Sequence, residues 1–417
     1  MLGDGARRCR SLLTWLVTPG VIACGGDPAR SSGVEPPLTL RERALAAGLA
    51  AMPFEPPRPL DNPFLPERVE LGHLLFFDAI LSGPQDVACS TCHLPDLAMT
   101  DGRQFPSGAG ATGLAADRTL PGPPPLREMP RNSPTTHNIG MFGRMGNTTP
   151  TTDGTMFWGA NAFGLEDQVL LPISADNELR GLTYSKVIAR DSVLARLRRN
   201  PEYVERFAAA FPELSGAGVP VPEAVITTMT LRRALAAYIR ELNTPHAPLD
   251  EFLRGSDASL TPQQKAGLDL FIGKAYCVVC HTGPLLSDFA PHVLGTAQAG
   301  LGRDTTPGDD LGWGEHGGVP YSFRTAPLRQ VALTAPYFHA GTALTLEAVL
   351  EFKNRGESAY ERVPASALDP HVRPLHLTTT ELADVIAFLH ALTDTVTTRN
   401  ALFLAPERVP SGLPIPK

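Results

Sequence analysis

Two cysteines separated by two residues and followed at once by a histidine occur twice in this chain, as Cys89-Ser90-Thr91-Cys92-His93 and Cys277-Val278-Val279-Cys280-His281. Nothing else in the sequence narrows the possible folds as much. On one helical turn the two thiols of such a unit can each add to a vinyl group of haem, and the adjacent imidazole then faces the iron. At this chain's cysteine and histidine frequencies one such pentapeptide arises by chance in roughly two chains per thousand, and two far more rarely. Two other readings use the same residues. Zinc needs four ligands, which two Cys-x-x-Cys pairs supply. A thioredoxin-like redox pair needs a βαβ context, for which the sequence has no pattern.

The N-terminus favours haem, because c-type haem is attached outside the cytoplasm. Arg7, Arg8 and Arg10 precede a short apolar run that ends in Val21-Ile22-Ala23-Cys24. A basic start, an apolar stretch and a small residue before a cut make a secretory signal. The run resembles a bacterial lipoprotein box, with residues 1–23 removed and Cys24 lipidated, which implies a periplasmic, membrane-tethered protein. It is shorter than a transmembrane span requires and is interrupted by Pro19. The formal charge of −7 argues against a nucleic-acid binder. Six cysteines in 417 residues are too few for a disulfide scaffold.

Thirty-eight glycines and 41 prolines break the chain into short elements with long loops. Val225, Met229, Leu235, Ile239 and Leu242 form an apolar stripe that predicts a helix of about five turns. Leu382, Val385, Ile386, Leu389 and Leu392 form another, opened by a Thr378/Glu381 capping box. Thr261-Pro262-Gln263-Gln264 reads as a helix start, and a short helix is expected around Leu40–Met52. Few stretches alternate at period two. The reading is all-α with long loops, the longest being 103–160. The repeated motif divides the chain into a linker at 24–60, a first haem domain at 61–245, a second at 246–405 and a tail at 406–417.

Leu71-Gly-His-Leu-Leu-Phe-Phe-Asp-Ala-Ile-Leu-Ser-Gly83, Arg131-Asn132-Ser133-Pro134-Thr135 and Leu328-Arg-Gln-Val-Ala-Leu-Thr-Ala-Pro-Tyr-Phe-His339 resemble the bacterial dihaem cytochrome c peroxidases and MauG-type enzymes, over roughly Val69–Leu392. The resemblance implies two cytochrome c-like helical domains with one c-type haem each. Hydrogen peroxide would react at the first haem, and electrons would enter at the second from a small c-type cytochrome or cupredoxin. It also implies that Trp158 lies between the haems, that Gln168, Pro172 and Glu178 line the first haem's distal pocket, and that His339 lies near a propionate or proton path. Asn132, Thr334 and Pro336 match positions that hold calcium in relatives, and family members often dimerise. A MauG-like oxidase acting on a protein side chain or small organic molecule, and a non-catalytic electron carrier, are the rival functions.

The sequence departs from the family at the sixth ligands. Where the peroxidases carry a histidine sixteen residues after the first motif, this chain has Ala109, and no histidine lies between His93 and His137. The first haem is therefore expected to be five-coordinate when ferric. Where relatives have Met or Tyr fourteen residues past the Pro-Tyr-x-His histidine, this chain has Lys353, and no Met follows Met229. A deprotonated lysine amine can bind ferric haem, so Lys353 is the candidate ligand of the second; the competing reading is a surface lysine. Gly159-Ala160-Asn161 replaces the usual Asp-Gly-Arg, and Ala340 the usual Asp after His339.

Overall fold

The computed structural model describes residues 37–121, 126–216, 218–300 and 309–416. The signal segment 1–23 and Cys24 lie outside the described residues. What is described is helical, with two small antiparallel ribbons that the alternation of the sequence does not announce. The chain begins with α1 (Leu40–Ala46), α2 (Pro66–Phe77) and α3 (Cys89–Cys92). The first ribbon, β1 (Thr155–Met156) with β2 (Ala162–Phe163), precedes α4 (Leu165–Gln168) and α5 (Leu171–Ser174). Then come α6 (Ala189–Arg198), α7 (Pro201–Ala210), α8 (Pro222–Val225) and α9 (Thr228–Arg240). The later half carries α10 (Pro248–Leu253) and α11 (Pro262–Ile272), then the ribbon β3 (Pro291–Val293) with β4 (Ser322–Arg324), and finally α12 (Leu346–Arg355) and α13 (Thr379–His390).

Local signals fix the helix starts. Thr261 caps α11 by accepting from Gln264 N, and Thr378 caps α13 by accepting from Glu381 N, each as a reciprocal capping box. The stripe from Val225 to Leu242 is not one helix. Thr227 caps a separate α9 in a box with Thr230, so α8 ends before it and Met229 is left 49% exposed. The cap on Thr227 overrides the apolar spacing.

Within the compact unit from Leu38 onward, buried side chains gather in two clusters. The first joins Leu75 and Phe76 of α2 to Leu197, Phe207, Leu235 and Tyr238. The second joins Phe252, Leu268 and Phe271 to Leu350, Val385 and Phe388. Each has a central helix pair crossing at a glycine. A Cβ on Gly72 would overlap the Ala234 carbonyl oxygen, and one on Gly267 the Asp384 carbonyl oxygen, so α2/α9 and α11/α13 approach only because no side chain intervenes.

Residues read as linker and tail are packed. Ala44 and Leu49 lie in the second cluster, and Met52 N donates to the buried Asp250, which pairs with Arg329. Val409 lies in the first cluster, and Ser411 Oγ donates to Asp78 Oδ1 at 2.6 Å. No helix among the described residues is long and apolar enough to cross a membrane.

Candidate functional site

Both cysteine–histidine units fold as one tight turn: α3 for the first, a 3-10 turn over Cys277–Val279 for the second. In each the histidine N–H donates to the first cysteine's carbonyl, at 3.1 Å for His93 and 2.9 Å for His281. The imidazoles are held alike. His93 Nδ1 lies 3.0 Å from Met99 O, with the Pro134 carbonyl also close, and His281 Nδ1 lies 2.9 Å from Leu286 O. A carbonyl acceptor fixes the proton on Nδ1 and leaves Nε2 with its lone pair for a metal. Burial lowers both histidines, His281 to about 4, so both rings are neutral. Burial pushes the Cys89 and Cys277 thiols up to about 12 and raises Cys92 as well. Among the described residues the four cysteines do not converge on a shared ligand cluster; Cys280 groups instead with Asp288 and His292, so a four-cysteine zinc site is not formed. Paired thiols on one turn beside a neutral, oriented imidazole are the donor set that covalent haem requires, and it is present twice.

Beside the first turn the backbone brings together residues distant in sequence. Ala109 is 2% exposed, and its N–H donates to Glu178 O at 2.7 Å. A Cβ on the neighbouring Gly108 would overlap the Glu178 backbone, so the two loops meet at van der Waals range. Leu179 N–H donates to Pro172 O and Glu178 N–H to Ala175 O, folding 172–179 back on itself. The Glu178 carboxylate is near enough for its charge to raise both Cys89 and Cys92. Backbone hydrogen bonds thus bring Ala109, Pro172 and the Glu178–Leu179 segment together; Gln168 is half-buried at the end of α4, four residues before Pro172. Sequence reasoning missed Asp101. Its carboxyl is pushed up to about 6 by burial, its Oδ2 has no hydrogen-bond partner, and its charge acts on Cys92. Its position just past the first motif was the available signal.

The second turn opens into a largely apolar cavity of about 290 Å³. Cys277, Cys280, His281, Lys353, Trp158 and Asn132 all line it. Lys353, on α12, is half-buried and lines this cavity. Burial lowers its pKa, against the pull of Cys280, Cys277 and Asp369, and its charge is felt by His281. It is not a surface lysine. His292, also missed, is clamped between carboxylates, with Nε2 2.9 Å from Asp288 Oδ2 and Nδ1 2.6 Å from Asp369 Oδ2. Asp288 first, then the free Cys280 thiol and Asp369, raise it to about 11; the two carboxylates keep their pull when Cys280 carries haem, so it is an imidazolium.

Trp158 stands in the turn of the β1–β2 ribbon, whose Phe157 and Ala160 have left-handed backbones. Its Nε1 donates to Asn132 O at 2.9 Å, while Asn132 N donates to His339 O at 2.7 Å. The unusual Gly159 makes room for Arg131, whose Nη1 would lie 3.0 Å from a Cβ there. Arg131 is bidentate to buried Asp310 and reaches Glu315, so this pair supplies the polar surroundings of Trp158. His339 is buried, lowered to about 3 by burial, and stacked on Phe323 at 3.7 Å. Thr334 and Pro336 border the same cavity as Asn132, and Asn132 Nδ2 donates to Arg103 O, which turns its amide oxygen away from that bond.

Residues 66–258 match the family described as di-haem cytochrome c peroxidase. The chain is 30% identical over 391 residues to the methylamine utilization protein MauG of Methylorubrum extorquens, covering 90% of this chain and 94% of that one. It is 30% identical over 333 residues to the cytochrome c551 peroxidase of Pseudomonas aeruginosa, covering 79% and 80%. The crystal structure of a MauG-like protein associated with microbial copper homeostasis superposes with a TM-score of 0.69 at 29% identity, covering 86% of this chain and 98% of that one.

Proposed function

This chain belongs to the dihaem cytochrome c peroxidase and MauG family of oxidoreductases, and we propose that it is an exported peroxidase that reduces hydrogen peroxide at the first cysteine–histidine turn with electrons entering at the second. Haem iron at His93 and His281 would supply the redox chemistry and the coordination of peroxide. The protein supplies the rest. His93 offers Nε2 while Met99 O fixes its tautomer. Ala109 offers no side-chain donor where peroxidases have histidine, so the pocket shared with Glu178 stays open to a small oxidant. Glu178 takes a proton from the peroxide and gives it to the oxygen that leaves as water, the task a carboxylate performs as acid and base. Gln168 and Pro172 shape the same wall, and Trp158 lies on the route between the two turns.

The observation that carries this reading is the Ala109 N–H donating to Glu178 O at 2.7 Å, which sets the acid-bearing loop against the position where peroxidases have histidine. Lys353 is proposed as the sixth ligand of the second haem, supported by its burial and lowered pKa beside His281. Asn132, Thr334 and Pro336 are proposed to hold calcium, since oxygen donors suit that ion. The donor is proposed to be a small cytochrome or cupredoxin, and Cys24 to tether the protein in the periplasm by a lipid. Ala109 also favours a second reading, a MauG-like oxidase that takes electrons from a protein side chain or organic substrate.

Peroxide titration of the reduced holoprotein, with electron paramagnetic resonance of the oxidised form, tests the proposal. Oxidation beyond two iron equivalents and one high-spin ferric signal are expected. Inertness to peroxide would leave an electron carrier, and two purely low-spin signals would remove the open pocket. Turnover with a reduced cytochrome or cupredoxin separates the peroxidase from the oxidase.

A further inference from the structure

Arg324 is a buried cation with no acid beside it. It is 4% exposed, at the end of β4, and it borders the cavity of the second cysteine–histidine turn. Its Nε donates to Phe157 O at 2.9 Å, its Nη1 reaches Thr325 O at 3.2 Å, and its guanidinium lies 4.8 Å over the Phe142 ring. Among the described residues no carboxylate pairs with it, and Nη2 makes no hydrogen bond. Burial alone lowers it, to about 10, with no countercharge contributing. Two other buried arginines are matched, Arg329 of the same cavity by Asp250 and Arg131 by Asp310. A buried charge left unmatched costs several kcal/mol, on the order of the penalty for breaking a buried pair. Such a cation is retained where an anion arrives with a ligand.

A haem joined through its vinyl carbons to Cys277 and Cys280 brings two propionates on the opposite edge of the ring. We infer that Arg324 is the anchor for a propionate of the second haem, donating from Nη2 in a charge-assisted hydrogen bond. The same residue braces the inter-haem tryptophan. Arg324 N–H donates to Trp158 O at 2.8 Å, and Nε holds the neighbouring Phe157 carbonyl. Arg324 is therefore a positioning residue that fixes the second haem and Trp158 relative to each other. Its positive charge also favours the reduced haem over the oxidised one. The inference rests on the haem reading of the second turn, and its failure is distinguishable from the failure of that reading.

The test is the midpoint potential of each haem in holoprotein carrying Arg324→Gln or Arg324→Lys, with haem content counted as pyridine haemochrome. In Arg324→Gln the reduced-to-oxidised ratio of the second haem at fixed potential is expected to fall about tenfold, a drop of ~59 mV for a one-electron couple. Arg324→Lys keeps the charge and is expected to stay within about threefold of the parent. The first haem's potential should not move. Loss of the second haem from the Gln variant alone, with Lys retaining it, would also support the anchor. Unchanged potentials in Arg324→Gln, or equal damage from Lys and Gln, would overturn it and leave Arg324 as a brace of the ribbon. A colourless parent protein would instead overturn the haem reading.

Discussion

At the first turn His93 leans on the Met99 carbonyl, and at the second His281 leans on the Leu286 carbonyl, but the groups gathered beside them differ. The first has a buried methyl group, Ala109, and an acid, Glu178. The second has a buried amine, Lys353, and a clamped imidazolium, His292. The side of each turn made by a few consecutive residues is alike, while the side made by distant loops differs. One turn thus has a methyl group and a carboxylate beside it, and the other an amine and an imidazolium. This difference fits the proposed division between a first turn that reacts with peroxide and a second that passes electrons.

The largest effects should come from removing either turn. Cys89→Ala with Cys92→Ala is expected to halve the haemochrome count and abolish the high-spin ferric signal, whereas Cys277→Ala with Cys280→Ala should halve it and spare that signal. Loss of the same signal from both would erase the distinction between the sites. Next in size, Glu178→Gln should lower peroxide turnover by roughly 10²- to 10⁴-fold with haem content unchanged. A normal rate would remove Glu178 from proton transfer. Lys353→Met should raise the second haem's midpoint potential, because a thioether replaces a nitrogen donor, and leave the first unmoved. A potential that does not move would sink the ligand assignment.

The smallest effects concern pH, and they have opposite signs in the two regions. His292 has a folded pKa raised to about 11. Its contribution is complete below its unfolded value near 6.5 and is lost as pH rises through about 11. The stability gap between the parent and His292→Gln should thus be widest near pH 6, roughly 2 kcal/mol, and close toward pH 11 in thermal melts. His137, packed on Phe403 of the first cluster, is instead lowered by burial to about 4. The unfolded chain binds that proton first, so its contribution is lost as pH falls from about 6.5 toward 4. A gap for His292→Gln that widened with alkali would reverse the assigned charge.

The sequence by itself determined what a few neighbouring residues can fix. The caps at Thr261 and Thr378 needed only a partner three residues on, and the two cysteine–histidine turns carry their chemistry within five residues. The resemblance at Trp158, Gln168, Pro172 and Glu178 marked positions but no contacts. Only the tertiary structure decided that Arg131 and Asp310 would fill the space opened at Gly159. It also decided that Ala109 would meet Glu178, that Lys353 would face a cavity, and that Asp288 and Asp369 would close on His292. Apart from Asp288, four positions before His292, these partners lie tens to hundreds of positions apart. The packing of helices across Gly72 and Gly267 brings such residues together, and no local periodicity encodes a contact that packing creates.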